Sequence, residues 1–335
     1  MPHVPEILLS PGHGLHLSAL NLWLDHRRPQ PWAFISHAHS DHVARHGSIL
    51  CSPVTAHLLQ VRYRIPRERL CVQEYHETRE WHGHLCTLLP AGHIAGSAML
   101  HVVDAITGAS LLYTGDYKLR DSRSLPPAEL CPADTLIMES TFGLPRYVLP
   151  PAAVIEEQIC QFVHDCLASD ATPVLLGYSL GKAQEIAAIL HAHRIPYQET
   201  ATVAKMSQAC REMGMPLPET EAWRDSLPAG HALIAAPQLL RHADYTRLTR
   251  PRSAIMTGWA LNPGARFRYG CDAAIPLSDH ADFPDLLRTA EIVKPRRIIT
   301  VHGSTRELAA SLRARHFQAW SHFGNDQLEL FQDFP

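Results

Sequence analysis

Four side chains that could bind metal ions stand close together after a short apolar run. The segment AFISHAHSDH places His37, His39, Asp41 and His42 within six positions. His37 and His39 are two residues apart, so both imidazole rings point to the same side of an extended backbone. Imidazole nitrogens and carboxylate oxygens are ligands of zinc and similar divalent cations. An isolated H-x-H pair is weak evidence for a metal site. The longer pattern H-x-H-x-D-H at the end of a strand predicts a site for two metal ions.

Three further candidate ligands also follow apolar runs and have glycine nearby. His93 lies in LLPAGHIAGSAML, Asp116 in SLLYTGDYKLR and His302 in ITVHGS. Glycine allows the backbone to approach a site closely, and one carboxylate can bridge two cations. Taken singly, each residue is more often a turn residue or a hydrogen-bonded histidine. Together with the first cluster, the three residues predict one shared metal centre.

Positioning these ligands requires buried strands that end near one another. Strand length and β-branched or aromatic content predict strands at WAFIS, HLCTLLP, AMLHVV, SLLYTGD and DTLIMEST. The segments HVARHG and SPVTAHLLQVRY predict helices, the second beginning at Ser52 or Pro53. A longer amphipathic helix is predicted in PPAAVIEEQICQFVHDCLAS, with these residues on its apolar face: Val154, Ile159, Phe162, Val163 and Cys166.

The pattern of elements changes near residue 150 and changes back near residue 270. Between these points PVLLGYSLGKAQEIAAILHAHRI predicts strand, glycine turn and helix, and HALIAAP and SAIMTGW predict further buried strands. Such alternation is typical of a parallel α/β domain. We therefore predict a first domain split between residues 1–147 and 271–335, with a second domain inserted at 148–270.

Composition narrows the class of protein. The hydrophobic fraction is 46%, and no stretch approaches the roughly 18 apolar residues of a membrane span, so no membrane association is expected. The first residues do not resemble a secretory leader. Eight cysteines without a C-x-x-C pair predict reduced thiols and a cytoplasmic location. The net charge of −3 argues against a protein that coats nucleic acid by charge alone. Two clusters of arginines are equally compatible with a local basic groove and with a solvated face.

The order HAHSDH, GH, TGD and a late HG resembles the metallo-β-lactamase superfamily. The resemblance implies an α/β fold, a four-layered αββα sandwich with its metals at one edge. It also implies two zinc ions, with manganese as an alternative for a site built from histidine and aspartate. The implied first zinc site consists of His37, His39 and His93, the second of Asp41, His42 and His302, with Asp116 bridging the two. Asp25 matches the first structural aspartate of the family, although the residues after it depart from the common pattern.

Later segments resemble the β-CASP branch of that superfamily, which acts on nucleic acids. Glu139 in DTLIMESTFG, His280 in LSDHADF and the inserted β-CASP-type domain carry the resemblance. Within the branch, the blocks LGYSLGKAQEIAAIL, MTGW, GARFRYG and ITVHGS are most similar to the bacterial DNA ligase-associated exonucleases. This resemblance implies DNA as substrate, and an ATP-dependent DNA ligase and other repair enzymes as partners. A β-CASP ribonuclease is the first alternative, because His302 does not separate the DNA and RNA branches, and a small-molecule ester or thioester hydrolase is the second.

Each candidate catalytic residue has a predicted role in phosphodiester hydrolysis. Asp41 is expected to orient the attacking water. His280 is expected to stabilise a phosphoryl oxygen or protonate the leaving oxygen, with Glu139 holding its ring and selecting its tautomer. Ser179 and Lys182, in GYSLGKAQE, lie at a predicted helix start where a backbone phosphate could bind. A tight turn with a solvated lysine is an equally good interpretation of that segment.

Overall fold

The computed structural model describes residues 7–10 and 14–322. These residues form two compact units. The first contains the described residues up to Leu119, then Pro127–Val148 and those from His280 onwards, and the second contains Arg120–Pro126 and Leu149–Asp279. Within the described residues, no helix combines the length and the apolar character that crossing a bilayer requires.

The first unit contains two mixed sheets. In the first sheet the strand order follows the chain, antiparallel from β1 to β3 and parallel from β3 to β6. Its strands are β1 (Ile7–Ser10), β2 (Gly14–Leu17), β3 (Leu22–Leu24), β4 (Trp32–Phe34), β5 (Ser48–Cys51) and β6 (Leu70–Val72). The helix α1 (Pro53–Tyr63) joins β5 to β6 and packs beside β6.

The second sheet of this unit contains seven strands. In chain order they are β7 (Thr78–Trp81), β8 (His84–Pro90), β9 (Ala98–Asp104), β10 (Ser110–Tyr113) and β11 (Thr135–Ser140), then β18 (Arg297–Gly303) and β19 (Ala319–Ser321) after the second unit. The order across the sheet is β19-β18-β11-β10-β9-β8-β7. Strands β7 to β10 are antiparallel, and β10, β11, β18 and β19 are parallel.

The alternation of side chains along the second sheet builds two separate cores. On β10, Leu111 and Tyr113 pack against the first sheet, whereas Leu112 faces the other way. That other core is closed by α6 (Phe283–Val293) and α7 (Thr305–Arg313). Because a strand presents successive residues to opposite faces, one apolar strand can serve both cores. The layers are therefore helix, sheet, sheet and helix.

Two local predictions in the first unit have different outcomes. The helix predicted in SPVTAHLLQVRY is confirmed: Ser52 is its N-cap, and the Ser52 hydroxyl accepts a hydrogen bond from the backbone N–H of Thr55 at 3.1 Å. The helix predicted in HVARHG is wrong. Only a single 3-10 turn, Ser40–His42, is present, and the backbone N–H of Gly47 instead donates to the carbonyl of Gln30 at 2.8 Å. Pairing with this neighbouring segment keeps the chain from coiling.

The second unit is built on one parallel sheet. Its strands are β12 (Thr172–Leu176), β13 (Tyr197–Thr200), β14 (Ala222–Trp223), β15 (Ala232–Ala235), β16 (Pro251–Met256) and β17 (Ala273–Ile275), in the order β14-β13-β15-β12-β16-β17. Its helices are α2 (Ala152–Ala168), α3 (Lys182–Ala192), α4 (Ala201–Glu212) and α5 (Ala265–Tyr269). The predicted apolar face of α2 is wrong at Val154, which is 40% exposed, while the neighbouring Ile155 is buried.

The units and the predicted domains differ at one end of the insertion. The predicted insertion ends at residue 270, whereas the second compact unit continues to Asp279. Strand β17 explains this difference, because it pairs in parallel with β16 and so remains in the sheet of the second unit. Residues 120–126 also belong to the second unit. The assignment of these units to a split domain and an inserted domain stays a prediction.

Candidate metal centre

The predicted ligands of the first unit come from separate parts of the chain and meet where strands end. His37 and His39 follow β4, and His93 lies between β8 and β9. Asp116 follows β10, and His280 precedes α6. All of these side chains except those of His39 and His280 are buried. Long apolar strands therefore bring polar side chains from across the sequence to one place.

Three histidines form the tightest group. The Nδ1 atom of His39 lies 3.1 Å from the Nε2 atom of His37 and 3.1 Å from the Nε2 atom of His93. The ring of His37 is held on its other side, where Nδ1 lies 2.9 Å from the hydroxyl of Ser36. If that nitrogen carries the proton, the lone pair of His37 Nε2 points at the other two rings. This tautomer is the one that binds a metal through Nε2.

One oxygen of Asp116 lies at the centre of the wider cluster. Its Oδ2 atom is 3.3 Å from His42 Nε2, 3.7 Å from His37 Nε2 and 3.8 Å from His93 Nε2. The same oxygen lies 4.0 Å from His280 Nδ1. A carboxylate that faces several imidazoles at once could take part in binding a metal ion together with them.

The donor atoms fit metal ions in spacing and in chemistry. Two ligands bound tetrahedrally at 2.0–2.1 Å from zinc lie about 3.3 Å apart. The distances within the His37, His39, His93 and Asp116 set run from 3.1 to 3.8 Å. Three overlapping groups have ligand atoms all within 4.8 Å of one another: His37, His39 and His93; His37, His42 and Asp116; His93, Asp116 and His280.

At His37 and Asp116, electrostatics favour the protonation states that metal binding needs. Burial, followed by the neighbouring His42 and His93, lowers the pKa of His37 well below its usual value, so this imidazole is neutral. Burial raises the pKa of Asp116, but the imidazoles of His42 and His280 outweigh burial and hold that pKa well below its usual value. Neutral imidazole and ionised carboxylate are the forms that bind a metal.

The Asp25 carboxylate lies on the Nδ1 side of the His42 ring. The Asp25 Oδ2 atom lies 3.0 Å from His42 Nδ1 and accepts a hydrogen bond from the Tyr113 hydroxyl at 2.8 Å. Its Oδ1 atom accepts from the backbone N–H of Ser36 at 2.7 Å. Burial lowers the pKa of His42, but the carboxylates of Asp116, Asp41 and Asp25 together raise it well above its usual value. No hydrogen bond to His42 Nδ1 is formed among the described residues, so Asp25 acts on His42 through its charge and strengthens the basicity of the ring.

Asp41 and His302, the other two predicted ligands, lie at the margin of the cluster. The Asp41 carboxylate is 3.6 Å from His42 Nε2, and its side chain is 37% exposed. The ring centre of His302 lies 5.6 Å from that of His42. Neither residue belongs to the three groups of close donor atoms. Their roles as ligands stay predictions.

The predicted pair of Glu139 and His280 lies together beside the cluster. His280 Nδ1 is 2.9 Å from Glu139 Oε2 and 3.2 Å from Oε1. The carboxylate is fully buried and also accepts hydrogen bonds from the backbone N–H of Tyr117 at 2.8 Å and from the Thr141 hydroxyl at 2.6 Å. These donors fix the carboxylate, which in turn fixes the ring. The ring centre of His280 is 4.6 Å from that of His93.

Ser179 and Lys182 lie in the second unit, where the structure shows another partner for the lysine. The Lys182 ammonium is buried, lies 2.5 Å from Asp279 Oδ1 and is 4.8 Å from the ring centre of Tyr178. The Ser179 carbonyl accepts a hydrogen bond from Gln184 Nε2 at 3.1 Å. A phosphate at Lys182 would therefore compete with Asp279, and phosphate binding by this segment stays a prediction.

Two serines that hold the ligand histidines were missed in the sequence. Besides the Ser36 hydroxyl on His37, the Ser97 hydroxyl accepts hydrogen bonds from the backbone N–H groups of His93 at 3.0 Å and Ile94 at 3.3 Å. The signal was present in both cases, since each serine stands within four residues of a candidate ligand. Short polar side chains beside a metal motif are therefore candidates for fixing the ligands.

Comparisons with known proteins agree with this geometry. Residues 273–320 match the family described as the Zn-dependent metallo-hydrolase RNA specificity domain. A probable DNA ligase from Opitutus terrae is 44% identical over 319 residues, which are 95% of this chain and 31% of that protein. Endoribonuclease YSH1 from Saccharomyces cerevisiae is 36% identical over 35% of this chain and 15% of its own length. An RNase J-like protein from Methanocaldococcus jannaschii is 28% identical over 47% of this chain and 42% of its own length.

The layered first unit has a metallo-β-lactamase fold, and it contains a histidine and aspartate cluster that could hold metal ions. These similarities support an assignment of the chain to the β-CASP nuclease branch of that superfamily, and the domain matched by residues 273–320 is described as Zn-dependent. The chain spans about a third of the probable DNA ligase and a smaller part of YSH1. The named activities of these relatives include both DNA and RNA chemistry.

Proposed function

We propose that this chain is a two-metal phosphodiesterase that hydrolyses DNA, acting as an exonuclease in DNA repair. The observation that carries the proposal is the position of one Asp116 oxygen within 3.8 Å of the Nε2 atoms of His37, His42 and His93. We assign His37, His39 and His93 to one metal and His42, Asp41 and His302 to the other, with Asp116 between them. When bound, the two divalent cations supply a nucleophile at neutral pH and neutralise the charge of the phosphoryl group.

The protein side chains around this centre supply orientation and proton transfer. Asp41 is the partly exposed carboxylate of the cluster, so it can accept a hydrogen bond from an incoming water. One edge of the His280 ring contacts Glu139. The opposite edge can stabilise a phosphoryl oxygen or protonate the leaving oxygen. Glu139 keeps the proton on Nδ1 and stabilises a positive charge on the ring.

DNA is proposed as the substrate because the relative that matches nearly the whole chain is named a probable DNA ligase. This similarity also supports the proposed partnership with an ATP-dependent DNA ligase and other repair enzymes. The eight cysteines have no disulfide partner, which fits the proposed cytoplasmic location.

A ribonuclease is the second candidate. It is supported by the match of residues 273–320 to an RNA specificity domain and by the similarity to YSH1.

Matched single-stranded substrates separate the two candidates. DNA and RNA of one sequence, labelled at the 5′ or the 3′ end, should be incubated with zinc-loaded and with manganese-loaded protein. We expect DNA to be cleaved faster than RNA, and the labelled DNA strand to be shortened from one end. Faster cleavage of RNA would favour the ribonuclease, and turnover of simple esters without cleavage of either nucleic acid would favour a small-molecule hydrolase. An Asp116→Asn variant is the control for contaminating nucleases.

A further inference from the structure

The helix α1 contacts both loops that carry the three-histidine group. Near its C-terminal end, the Arg62 Nη1 atom and the Tyr63 hydroxyl donate to the carbonyl of Ala38, at 3.1 and 3.2 Å. That carbonyl lies between His37 and His39. Two side chains from consecutive residues therefore hold one of the two peptide groups that join these candidate ligands.

The N-terminal end of the same helix holds the other loop. The hydroxyls of Ser52 and Thr55 both donate to the carbonyl of Gly96, at 2.6 and 2.8 Å. Gly96 lies three residues after His93 and has a φ of +79°, and a Cβ placed there would stand 2.5 Å from the backbone N of Thr55. Helix and loop are therefore in direct backbone contact, which only glycine permits.

We propose that α1 is a positioning helix for the three-histidine site, and that its contacts with Ala38 and Gly96 set the affinity of this site for metal. The helix is 11 residues long, and an α-helix of that length spans about 16 Å with little freedom to bend. By fixing one carbonyl at each end, α1 fixes the separation of His93 from the His37–His39 pair. The inference rests on the proposed assignment of these histidines as metal ligands.

Nearly isosteric substitutions test each end of α1 separately. Thr55→Val removes the hydroxyl that binds Gly96, and Tyr63→Phe removes the hydroxyl that binds Ala38, while both keep the side-chain volume. The loss of a single neutral hydrogen bond to a ligand loop should weaken zinc binding about fivefold to tenfold. Because the two contacts act through the same helix, the double variant should lose less affinity than the product of the two single losses. Thr55→Ser keeps the hydroxyl and should bind zinc like the unsubstituted protein.

The measurement is the zinc dissociation constant, obtained by competition with a chromophoric chelator, together with thermal unfolding of the metal-free protein. Thr78→Val is the matched control, since the Thr78 hydroxyl bonds to the Thr87 hydroxyl and to neither ligand loop. Weaker zinc binding by Thr55→Val and Tyr63→Phe, with restoration in Thr55→Ser, supports the inference. Unchanged zinc affinity accompanied by a lower melting temperature overturns it, because α1 would then only stabilise the fold. Absence of zinc binding in the unsubstituted protein would instead contradict the proposed metal centre.

Discussion

Replacing Glu139 by glutamine should slow cleavage strongly while leaving the metals in place. The fully buried carboxylate accepts from the backbone N–H of Tyr117, the Thr141 hydroxyl and the Nδ1 atom of His280. Glutamine keeps the shape, but its amide group can donate where an oxygen accepted. We expect the His280 ring to respond by moving its proton from Nδ1 to Nε2. The variant then loses both the tautomer and the negative charge that supports a protonated ring.

The size of the effect follows from the kind of bond that is lost. A hydrogen bond to a charged group contributes about 1.5–3 kcal/mol, compared with about 1 kcal/mol for a neutral one. If the charged hydrogen bond, worth about 1.5–3 kcal/mol, is lost in full from the transition state, the rate of the chemical step should fall about tenfold to 150-fold. The Michaelis constant should change little, because Glu139 is fully buried and does not reach the substrate.

Single-turnover cleavage of end-labelled DNA, with enzyme in excess, measures the chemical step directly. Metal content should be determined on the same samples. The matched control is Glu199→Gln, because Glu199 is likewise buried but lies in the second unit, where it accepts from the Ser207 hydroxyl at 2.8 Å. Glu139→Gln with full metal and a rate within twofold of the unsubstituted protein would refute the assigned role. Loss of metal would make His280 a ligand rather than a proton donor, as its grouping with His93 and Asp116 allows.

Three further substitutions have defined outcomes. Asp41→Ala should reduce cleavage at least about a hundredfold with circular dichroism unchanged, and retained turnover would remove Asp41 from its role. His280→Ala should reduce kcat about 100-fold to 1,000-fold while most metal stays bound. Burial lowers the pKa of His46 to about 4, so stability present above pH 6.5 is lost as the pH falls towards 4. The free energy of unfolding of His46→Gln should therefore fall less between pH 7 and pH 4.5 than that of the unsubstituted protein, by up to about 3 kcal/mol. Urea unfolding at the two pH values measures this, and an equal fall in both proteins would contradict the prediction.

Local sequence signals predicted the elements whose structure depends on local interactions. The start of α1 at Ser52 and the course of α2 are confirmed, because capping and amphipathic spacing act within one or two turns. The helix predicted in HVARHG is wrong because its backbone pairs with residues 30 and 31, a contact that no local pattern encodes. Likewise, the exposure of Val154 depends on where the helix rests, not on its composition.

The candidate site was predictable to the extent that its residues form motifs. The H-x-H-x-D-H spacing marked His37 to His42 directly, whereas the pairing of Glu139 with His280, across 141 residues of sequence, came only from the resemblance to a family. The partner of Lys182 could not be predicted, because Asp279 is 97 positions away and nothing in the LSDHADF segment links it to Lys182. The contacts of α1 with Ala38 and Gly96 were also not predictable, since backbone carbonyls carry no sequence signal.

The central claim is that the histidine and aspartate cluster binds two metal ions that together split a phosphodiester. The most direct test is to strip the protein with a chelator, add zinc in steps of half an equivalent, and measure bound metal and DNA cleavage on each sample. The account predicts binding of two equivalents, with cleavage rising mainly as the second is bound. Full cleavage by the stripped protein, or saturation of binding and activity at a single equivalent, would contradict it.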